Sequence, residues 1–261
     1  MEGKIPESIK KQIESKEYSR DTIGRSGSQI LCFSDMVLKA ERDREESGNE
    51  HEILSWLQGR LPVPKIICAE KMGDTRFLLM TKIKGAMLCD TQYLKNPRLL
   101  VHLLAEGLKM LRQVDISGCP VMRNLDFKLQ QASVNVAEGL ELETGTEPDL
   151  YGTKEFHSPE ELLLWLREHK PREEMVFSHG DYCLPNIFAE NKRISGFIDL
   201  GRAGMADLWQ DIALCVRSLQ YNIGKNEGCV KQLFEELEIA PDWEKIRYYI
   251  SVSYTHLRAH E

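Results

Sequence analysis

Apolar and polar residues are distributed along the chain in patterns that predict strands in some segments and helices in others. In the central region, apolar runs at 176–177, 187–189 and 194–198 have the length of short buried strands. Residues 191–193, Asn-Lys-Arg, separate the second run from the third and predict the turn of a β-hairpin. The first run leads into a polar loop, and we expect this loop to face one end of the hairpin.

The first third of the chain predicts a small unit rich in strands. Ile53, Leu54 and Leu57 recur at helical spacing and mark the buried face of a helix, which two prolines end. A Gly-Asp turn separates the last two strands of this unit. In chain order, we expect a surface helix over 5–17, strands over 30–33 and 35–39, a helix over 41–58, and strands over 65–69 and 76–82.

The remainder of the chain predicts mainly helix around the central hairpin. A leucine-rich face runs through 97–114, and further helices are expected over 160–170, 204–217, 230–237 and 243–250. The stretch 132–153 is acidic, and such a charge run is usually a solvated face. The element pattern therefore predicts an α+β fold with a small β-rich N-lobe and a larger, mainly helical C-lobe.

Composition narrows the possible classes of protein. The chain has 261 residues and a formal net charge of −7, which disfavours nucleic acid and would attract a polycationic small molecule. Its seven cysteines are scattered and form no CxxC pair, which predicts reduced thiols without a disulfide framework or a structural zinc site. The apolar runs are too short to span a membrane, and no signal-peptide core is present near the N-terminus. We expect a cytoplasmic protein that has no membrane association and is a monomer or a weak dimer.

Polar side chains lie where the central strands begin and end. Asp181 follows the first run, Asn186 precedes the second, and Asp199 follows the third. Pairing of the hairpin strands would bring Asn186 and Asp199 to the same end, facing the loop that carries Asp181. This set provides one proton acceptor and two oxygen ligands for a hard cation, a combination that suits Mg²⁺ better than zinc. Phosphoryl transfer requires such a set.

A lysine and a glutamate of the N-terminal unit form a second candidate group. Lys39 ends a predicted strand, and a lysine there is a mobile positive charge able to reach phosphate groups. Glu50 shares the apolar face of the following helix and needs a partner, for which Lys39 is the natural choice. Glu46 lies on a similar face and is the second choice.

The order of these residues resembles a known family. His179-Gly180-Asp181, then Asn186, then Asp199-Leu200-Gly201 is similar to the His-Arg-Asp, Asn and Asp-Phe-Gly pattern of protein kinases. The longer pattern matches aminoglycoside 3′-phosphotransferases more closely, particularly the type III-like 3′/5″ enzymes; it reads FSHGD…NIF…SGFIDLGR.G.AD.W.DIA.CVRS. The resemblance covers about residues 5–250 and implies a two-lobed protein-kinase-like fold with a catalytic β-hairpin. It divides the chain into lobes 1–82 and 83–261 with a hinge at about 80–85.

The resemblance also implies roles for individual residues. Asp181 would be the catalytic base, and Asn186 and Asp199 would bind Mg²⁺. Asp211 resembles the aspartate that holds the catalytic loop of the family. The residues expected to contact ATP are Ser26, Lys39, Glu50, Thr81, Ile83 and Ile198, and those expected to contact the aminoglycoside are Glu147, Asp149, Arg202 and Arg217.

The activity that follows from the resemblance is transfer of the γ-phosphate of ATP to the 3′-hydroxyl of an aminoglycoside antibiotic. Two alternatives stay open at this point. One is a kinase for another small hydroxyl compound, such as choline, homoserine or a macrolide. The other is a nucleotide-binding homologue with impaired turnover.

The C-terminal segment motivates the second alternative. Residues 251–261 read SVSYTHLRAHE and do not match the acidic-aromatic tail of the family. We expect this segment to be foreign to the fold and to weaken aminoglycoside binding.

Overall fold

The computed structural model describes residues 5–21, 28–139 and 156–254. Three predicted site residues, Ser26, Glu147 and Asp149, lie outside the described residues, as does the segment 255–261. Everything else named as a candidate above can be placed.

Within the described residues, the N-terminal unit is one antiparallel sheet with the strand order β1-β2-β3-β5-β4. Its central strand pair is β3 with β5, in which Lys39 lies opposite Leu78. The strands are β1 (Ser19–Asp21), β2 (Gln29–Cys32), β3 (Met36–Arg42), β4 (Ile66–Met72) and β5 (Thr75–Thr81).

Two helices cover the two faces of this sheet. On one face, Leu38 and Leu79 pack with Ile9 of α1 (Glu7–Ile13) in a small separate core. On the other face, Leu78 joins Leu54 of α2 (Glu45–Leu57) in the main core. Because side chains alternate between the faces of a strand, Lys39 next to Leu38 lies on the α2 face.

The C-terminal part combines helices with two small strand pairings. In the described residues, β6 (Ala86–Met87), β8 (Ile187–Glu190) and β9 (Arg193–Phe197) form one sheet, and β7 (Met175–Ser178) pairs with β10 (Gly204–Asp207). Asn191 and Lys192 form the β8–β9 turn with positive φ values of 52° and 61°. The helices are α3 (Thr91–Leu94), α4 (Pro97–Arg112), α5 (Leu125–Ala137), α6 (Pro159–Glu168), α7 (Leu208–Ile223), α8 (Glu227–Leu237) and α9 (Trp243–Tyr254).

The predicted two-lobed α+β fold is confirmed, while two local predictions were wrong and one helix was not predicted. The helix expected over 204–217 begins only at Leu208, because Gly204–Asp207 pairs with β7 as strand β10. Helix α5 was not predicted, since Lys128 occupies one of its buried positions and interrupts the apolar pattern. Helix α9 extends past Ile250 to Tyr254, so the first residues of the segment expected to be foreign belong to the fold.

The end of α9 is packed into the protein. Ser251 and Val252 are buried, and Ser253 Oγ accepts a hydrogen bond of 2.8 Å from Arg217. The expected mismatch to the fold therefore does not begin at Ser251.

Two further expectations concern the whole chain. All seven cysteines are free thiols, as their scattered spacing predicted. Within the described residues, the helices are all too short or too polar to cross a bilayer.

Helix α4 supports the loop between β7 and β8. The phenol of Tyr182 is fully buried and donates a hydrogen bond of 2.8 Å to the carbonyl of Leu104. Gly107, one turn further along α4, leaves room for this ring, because a Cβ at position 107 would overlap Tyr182 Oη and lie 3.3 Å from Phe197. The loop that carries Asp181 is thus anchored directly on α4.

We predict that Gly107→Ala lowers the free energy of unfolding by about 1–3 kcal/mol, because the added methyl group displaces Tyr182 from a close-packed site. The matched control is Gly48→Ala in α2, where the nearest atom to a new Cβ is Arg76 Nη2 at 3.5 Å. There the higher helix propensity of alanine should leave stability unchanged or raise it by up to about 1 kcal/mol. Urea unfolding of both variants measures the difference, and a Gly107→Ala protein as stable as the parent would contradict this account.

Candidate active site

Helix α7 holds the loop of residues 179–186 at two points. The buried carboxylate of Asp211 accepts hydrogen bonds from the backbone N–H groups of His179 (2.7 Å) and Gly180 (3.0 Å). Ser218 Oγ, two turns further along the helix, accepts one from Leu184 N–H (3.0 Å). Burial raises the pKa of Asp211, although His179 and the hydrogen bonds oppose this effect. Helix α7 therefore fixes the backbone of this loop from outside.

Asp181 lies in this loop with its carboxylate oriented by Asn186. The side-chain amide Nδ2 of Asn186 donates to both the carbonyl oxygen (3.0 Å) and Oδ2 (3.1 Å) of Asp181. His179 Nδ1 accepts the backbone N–H of Asp181 at 3.3 Å. The half-buried carboxylate is thereby held in one orientation. It remains partly exposed to solvent, so it can accept a proton.

Asn186 and Asp199 lie at the same end of the β8–β9 hairpin, as predicted. Ile187 pairs with Phe197, and Ile198 N–H donates to the carbonyl of Asn186 at 3.0 Å. Asp199 follows at once, with a positive φ of 59° that is uncommon for a residue other than glycine. This backbone conformation turns the chain away from the hairpin and towards the N-terminal lobe.

Lys39 occupies the centre of a group of carboxylates. Its Nζ donates to Glu50 Oε2 (2.7 Å) and to Asp199 Oδ1 (3.0 Å), and Glu41 lies 3.5 Å away. The side chain of Glu50 is only 2% exposed and that of Lys39 10%, so the pair is almost fully removed from water. The ion pair predicted between Lys39 and Glu50 is present in the structure, and it links both lobes through Asp199.

The pKa values of this cluster follow from its burial and charges. Burial alone would lower the pKa of Lys39, but the charges of Glu50, Asp199 and Glu41 outweigh it and raise the pKa above its ordinary value. Burial raises the pKa of Glu50, with Lys39 opposing the change. For Asp199, loss of hydration is outweighed by the charge and hydrogen bond of Lys39, which lower its pKa. Lys39 and Asp199 are therefore held in their charged forms.

The predicted hinge segment connects β5 to β6 along one side of the hairpin. Thr81 N–H donates to the Lys65 carbonyl (2.9 Å), while the Thr81 hydroxyl accepts the N–H of Lys65 (2.9 Å). This use of the hydroxyl leaves the Thr81 carbonyl out of the pairing. Ile83 packs on Gly196 of β9, where a Cβ would lie 2.7 Å from it, and Ile198 shares that face of the strand. Ile83 and Ile198 therefore lie on the same face of β9, and contacts of Thr81, Ile83 and Ile198 with a nucleotide stay predictions.

The two predicted arginines have partners within the protein. Arg202 Nε donates to Glu46 Oε1 at 2.9 Å, which places Glu46 away from Lys39 and makes Glu50 the lysine's partner. Burial would lower the pKa of Arg202, but Glu46, Asp181 and Asp199 raise it, so this guanidinium lies within the field of the candidate site. Arg217 binds the last turn of α9. Contacts of either arginine with a substrate stay predictions.

The oxygen donors at the hairpin end fit a hard divalent cation. Asn186 uses its Nδ2 for Asp181, so its amide oxygen is the group left to bind a metal. Asp199 binds Lys39 through Oδ1 and keeps Oδ2 as a second oxygen ligand. In the part of the chain that the structure describes, no three His, Cys, Asp or Glu side chains form a metal-binding group. Such a sparse set matches Mg²⁺, which takes its remaining ligands from water and phosphate.

Several residues that support the site were not singled out from the sequence. Tyr182 and Ser218 anchor the loop, Asn49 binds the backbone beyond Asp199, and Lys128 lies buried beneath the site. Of these, Asn49 carried a usable signal, because it lies four residues before Ile53 and so is a polar residue on a buried face of α2. The partners of the others are too distant in sequence for a local pattern to reveal.

This geometry defines a class of protein: a two-lobed, kinase-like fold in which an aspartate loop, a hairpin with two oxygen donors and a buried lysine meet. A model of the phosphotransferase enzyme family matches residues 15–249. The chain therefore belongs to the phosphotransferase enzyme family.

Within this family, the chain is similar to several aminoglycoside 3′-phosphotransferases. An aminoglycoside 3′-phosphotransferase of Enterococcus faecalis is 37% identical over 261 aligned residues, which cover 95% of this chain and 96% of that protein. An aminoglycoside 3′-phosphotransferase of Niallia circulans is 42% identical over 204 aligned residues, which cover 77% of this chain and 75% of that protein. The crystal structure of an aminoglycoside 3′-phosphotransferase of type VIII has a TM-score of 0.79 at 25% identity, covering 95% of this chain and 96% of that one.

We predict that Lys128→Met stabilises the folded protein at pH 7 by a few kcal/mol, because burial lowers the pKa of Lys128 to about 8, with Arg123 adding to the effect. Below that pH both folded and unfolded chains carry the charge, and the full burial penalty is present. Above it the folded protein releases the proton first, so the parent gains stability between about pH 8 and pH 10.5.

The advantage of Lys128→Met should accordingly shrink as the pH rises through this range. Urea unfolding at pH 7 and pH 10 measures it, with Lys109→Met on the exposed face of α4 as the matched control. An advantage that stays constant with pH would contradict the assignment to the buried ammonium group.

Proposed function

We propose that this protein transfers the γ-phosphoryl group of ATP to the 3′-hydroxyl of an aminoglycoside antibiotic. The observation that carries the proposal is the position of Lys39 Nζ, within 3.0 Å of both Glu50 and Asp199. In this arrangement, the fixed positive charge of Lys39 and the carboxylate of Asp199, through a bound metal ion, would act on the phosphate groups of the same ATP molecule. The type of acceptor is supported by the named activity of relatives that are 37% and 42% identical to this chain.

The residues on the catalytic side would act on the acceptor hydroxyl. The Asp181 carboxylate would accept a hydrogen bond from this hydroxyl and then its proton, because it is partly exposed and held in one orientation. Asn186 keeps that carboxylate in one orientation through its hydrogen bond to Oδ2. Little covalent chemistry is required of the protein, so correct placement of the hydroxyl supplies much of the rate.

The residues on the nucleotide side would hold the donor. Lys39, kept charged and held by Glu50, would bind the α- and β-phosphates. The carbonyl of Thr81 and the backbone of Ile83 would bind adenine, and Ile198 would pack against its ring. Ser26, which lies between β1 and β2 in the sequence, would contact the phosphates.

Asn186 and Asp199 would hold Mg²⁺ through one amide oxygen and one carboxylate oxygen. When bound, the cation supplies positive charge that neutralises the phosphate oxygens during transfer. We also retain as predictions the contacts of Glu147, Asp149, Arg202 and Arg217 with the aminoglycoside, the lobe boundary after Lys82, and a monomeric or weakly dimeric state.

The proposed acceptor atom can be tested with two substrates that differ only at that atom. We expect ADP release in a coupled assay with kanamycin B and essentially none with its 3′-deoxy analogue. Equal turnover of the two compounds would contradict transfer to the 3′-hydroxyl. Turnover of choline, homoserine or a macrolide in place of either would favour the alternative kinase, and ATP binding without any turnover would favour an inactive homologue.

We predict that Asp181→Asn lowers kcat by a factor of about 10²–10⁴, the usual contribution of a positioned general base. Asparagine keeps the shape of the side chain and loses the proton acceptor, so the affinity for ATP should change little. The matched control is Asp74→Asn, which makes the same charge change on the exposed β4–β5 turn. Steady-state kinetics and calorimetric ATP binding measure the two effects, and a variant that keeps more than about a tenth of parental kcat would rule out the assignment.

A further inference from the structure

Helix α2 contacts the segment after Asp199 through a second residue besides Glu50. The side-chain amide of Asn49 donates two hydrogen bonds, to the carbonyl oxygens of Gly201 (2.7 Å) and Ala203 (2.9 Å). Asn49 is only 5% exposed, so both bonds are shielded from water. The two carbonyls flank Arg202, and Asn49 therefore fixes the backbone on both sides of that residue.

The approach of this segment to α2 is close enough to favour a glycine. A Cβ at position 201 would lie 3.0 Å from the carbonyl oxygen of Glu46 in α2. The backbone of residues 199–203, here called the Asp199 loop, is therefore in direct van der Waals contact with the helix. The hydrogen bonds of Asn49 hold it in that position.

The opposite side of the Asp199 loop touches the loop that carries Asp181. Gly180 has a positive φ of 78°, and a Cβ there would overlap the carbonyl of Arg202. The Arg202 backbone is thus enclosed between α2 on one side and Gly180 on the other. Because Asp181 follows Gly180 directly, a displacement of the Asp199 loop would be transmitted to Asp181.

The Asp199 loop also needs external support for its own conformation. Asp199 has a positive φ of 59°, a conformation that costs energy for a residue with a Cβ and persists only when its surroundings enforce it. On the next residue, Leu200 N–H donates to Glu50 Oε1 at 3.3 Å. Glu50 and Asn49, adjacent in α2, therefore hold three backbone groups of the loop: the N–H of Leu200 and the carbonyls of Gly201 and Ala203.

We propose that Asn49 is a positioning residue that sets the geometry between the nucleotide side and the catalytic side of the active site. By holding the carbonyls of Gly201 and Ala203, it places Asp199 at Lys39 and keeps the Arg202 backbone against Gly180. The inference rests on the proposed function, in which Asp199 binds Mg²⁺ and Asp181 accepts the proton.

The chemistry of this contact is specific to asparagine. Two carbonyl oxygens need two donors from one small group, and the NH₂ of an amide provides both. The Oδ1 of Asn49 has no hydrogen-bond partner among the described residues, so the side chain is present for its donors alone. Aspartate has the same shape and no donors, and its charge would repel both carbonyls. Alanine removes the contact but is the better helix former, so α2 itself would not be weakened.

The test compares Asn49→Ala and Asn49→Asp with the parent and with His51→Ala, an exposed position in the same helix. The measurements are the calorimetric Kd for ATP with Mg²⁺ and with EDTA, kcat with kanamycin, and the thermal unfolding midpoint. We expect both Asn49 variants to raise the Kd for ATP in Mg²⁺ and to lower kcat by about tenfold, the scale of losing hydrogen bonds to buried carbonyls. Binding in EDTA should change much less, Asn49→Asp should be the worse variant, and His51→Ala should behave like the parent.

Other results would overturn the inference. If the Asn49 variants lower the unfolding midpoint but leave kcat and Mg²⁺-dependent binding of the folded enzyme unchanged, the role of Asn49 is only structural. The same holds if His51→Ala reproduces their effects. Asp199→Ala, measured in parallel, tests the metal assignment by itself. If it leaves the Mg²⁺ dependence unchanged, that assignment fails, and kcat of Asn49→Asp then decides the positioning role.

Discussion

The structure of the site depends on the burial of two charged groups, Lys39 and Glu50, at the junction of the two lobes, where the more exposed Asp199 also binds Lys39. A buried charge without a partner is strongly unfavourable, so strand β3, helix α2 and the Asp199 loop are constrained to meet where their charges compensate. The Lys39 ammonium satisfies two carboxylates at 2.7 and 3.0 Å, one from each lobe. Removing Lys39 would leave the two carboxylates without their positive partner, and the hydrogen bond between Lys39 and Asp199 that joins the two lobes would be lost.

The catalytic side is built on rigid elements of the C-terminal lobe. Asp211 and Ser218 of α7 hold the backbone of the 179–186 loop, and the ring of Tyr182 is locked against α4. Loops that carry function are commonly fixed in this way by a scaffold of helices and strands. Asp181 therefore has a defined position although it lies in a loop, which is what placement of a reacting hydroxyl requires.

Groups that are unfavourable for stability gather around this site. Asp199 has a left-handed backbone conformation, Lys128 is a buried cation, and the buried atoms His179 Nε2 and Asn49 Oδ1 have no hydrogen-bond partner among the described residues. Strained and unsatisfied groups persist where the surrounding structure enforces them, and they concentrate at functional sites. The core elsewhere supplies the stability that offsets them, with fully buried apolar residues along α4 and α7.

The sequence by itself determined the elements and the residues whose signals are local. The apolar run 36–38 placed Lys39 at the end of a predicted strand, helical spacing placed Glu50 on the inward face of α2, and the order of Asp181, Asn186 and Asp199 marked the hairpin site. Only the tertiary structure decided between Glu50 and Glu46, assigned Asn49 its partners, and made 204–207 a strand, 125–137 a helix and Ser251 a buried residue. These outcomes depend on contacts between distant positions, such as Lys39 with Asp199, which are 160 residues apart. Periodicity reports only the environment that a segment needs, and the folded chain selects which distant residues provide it.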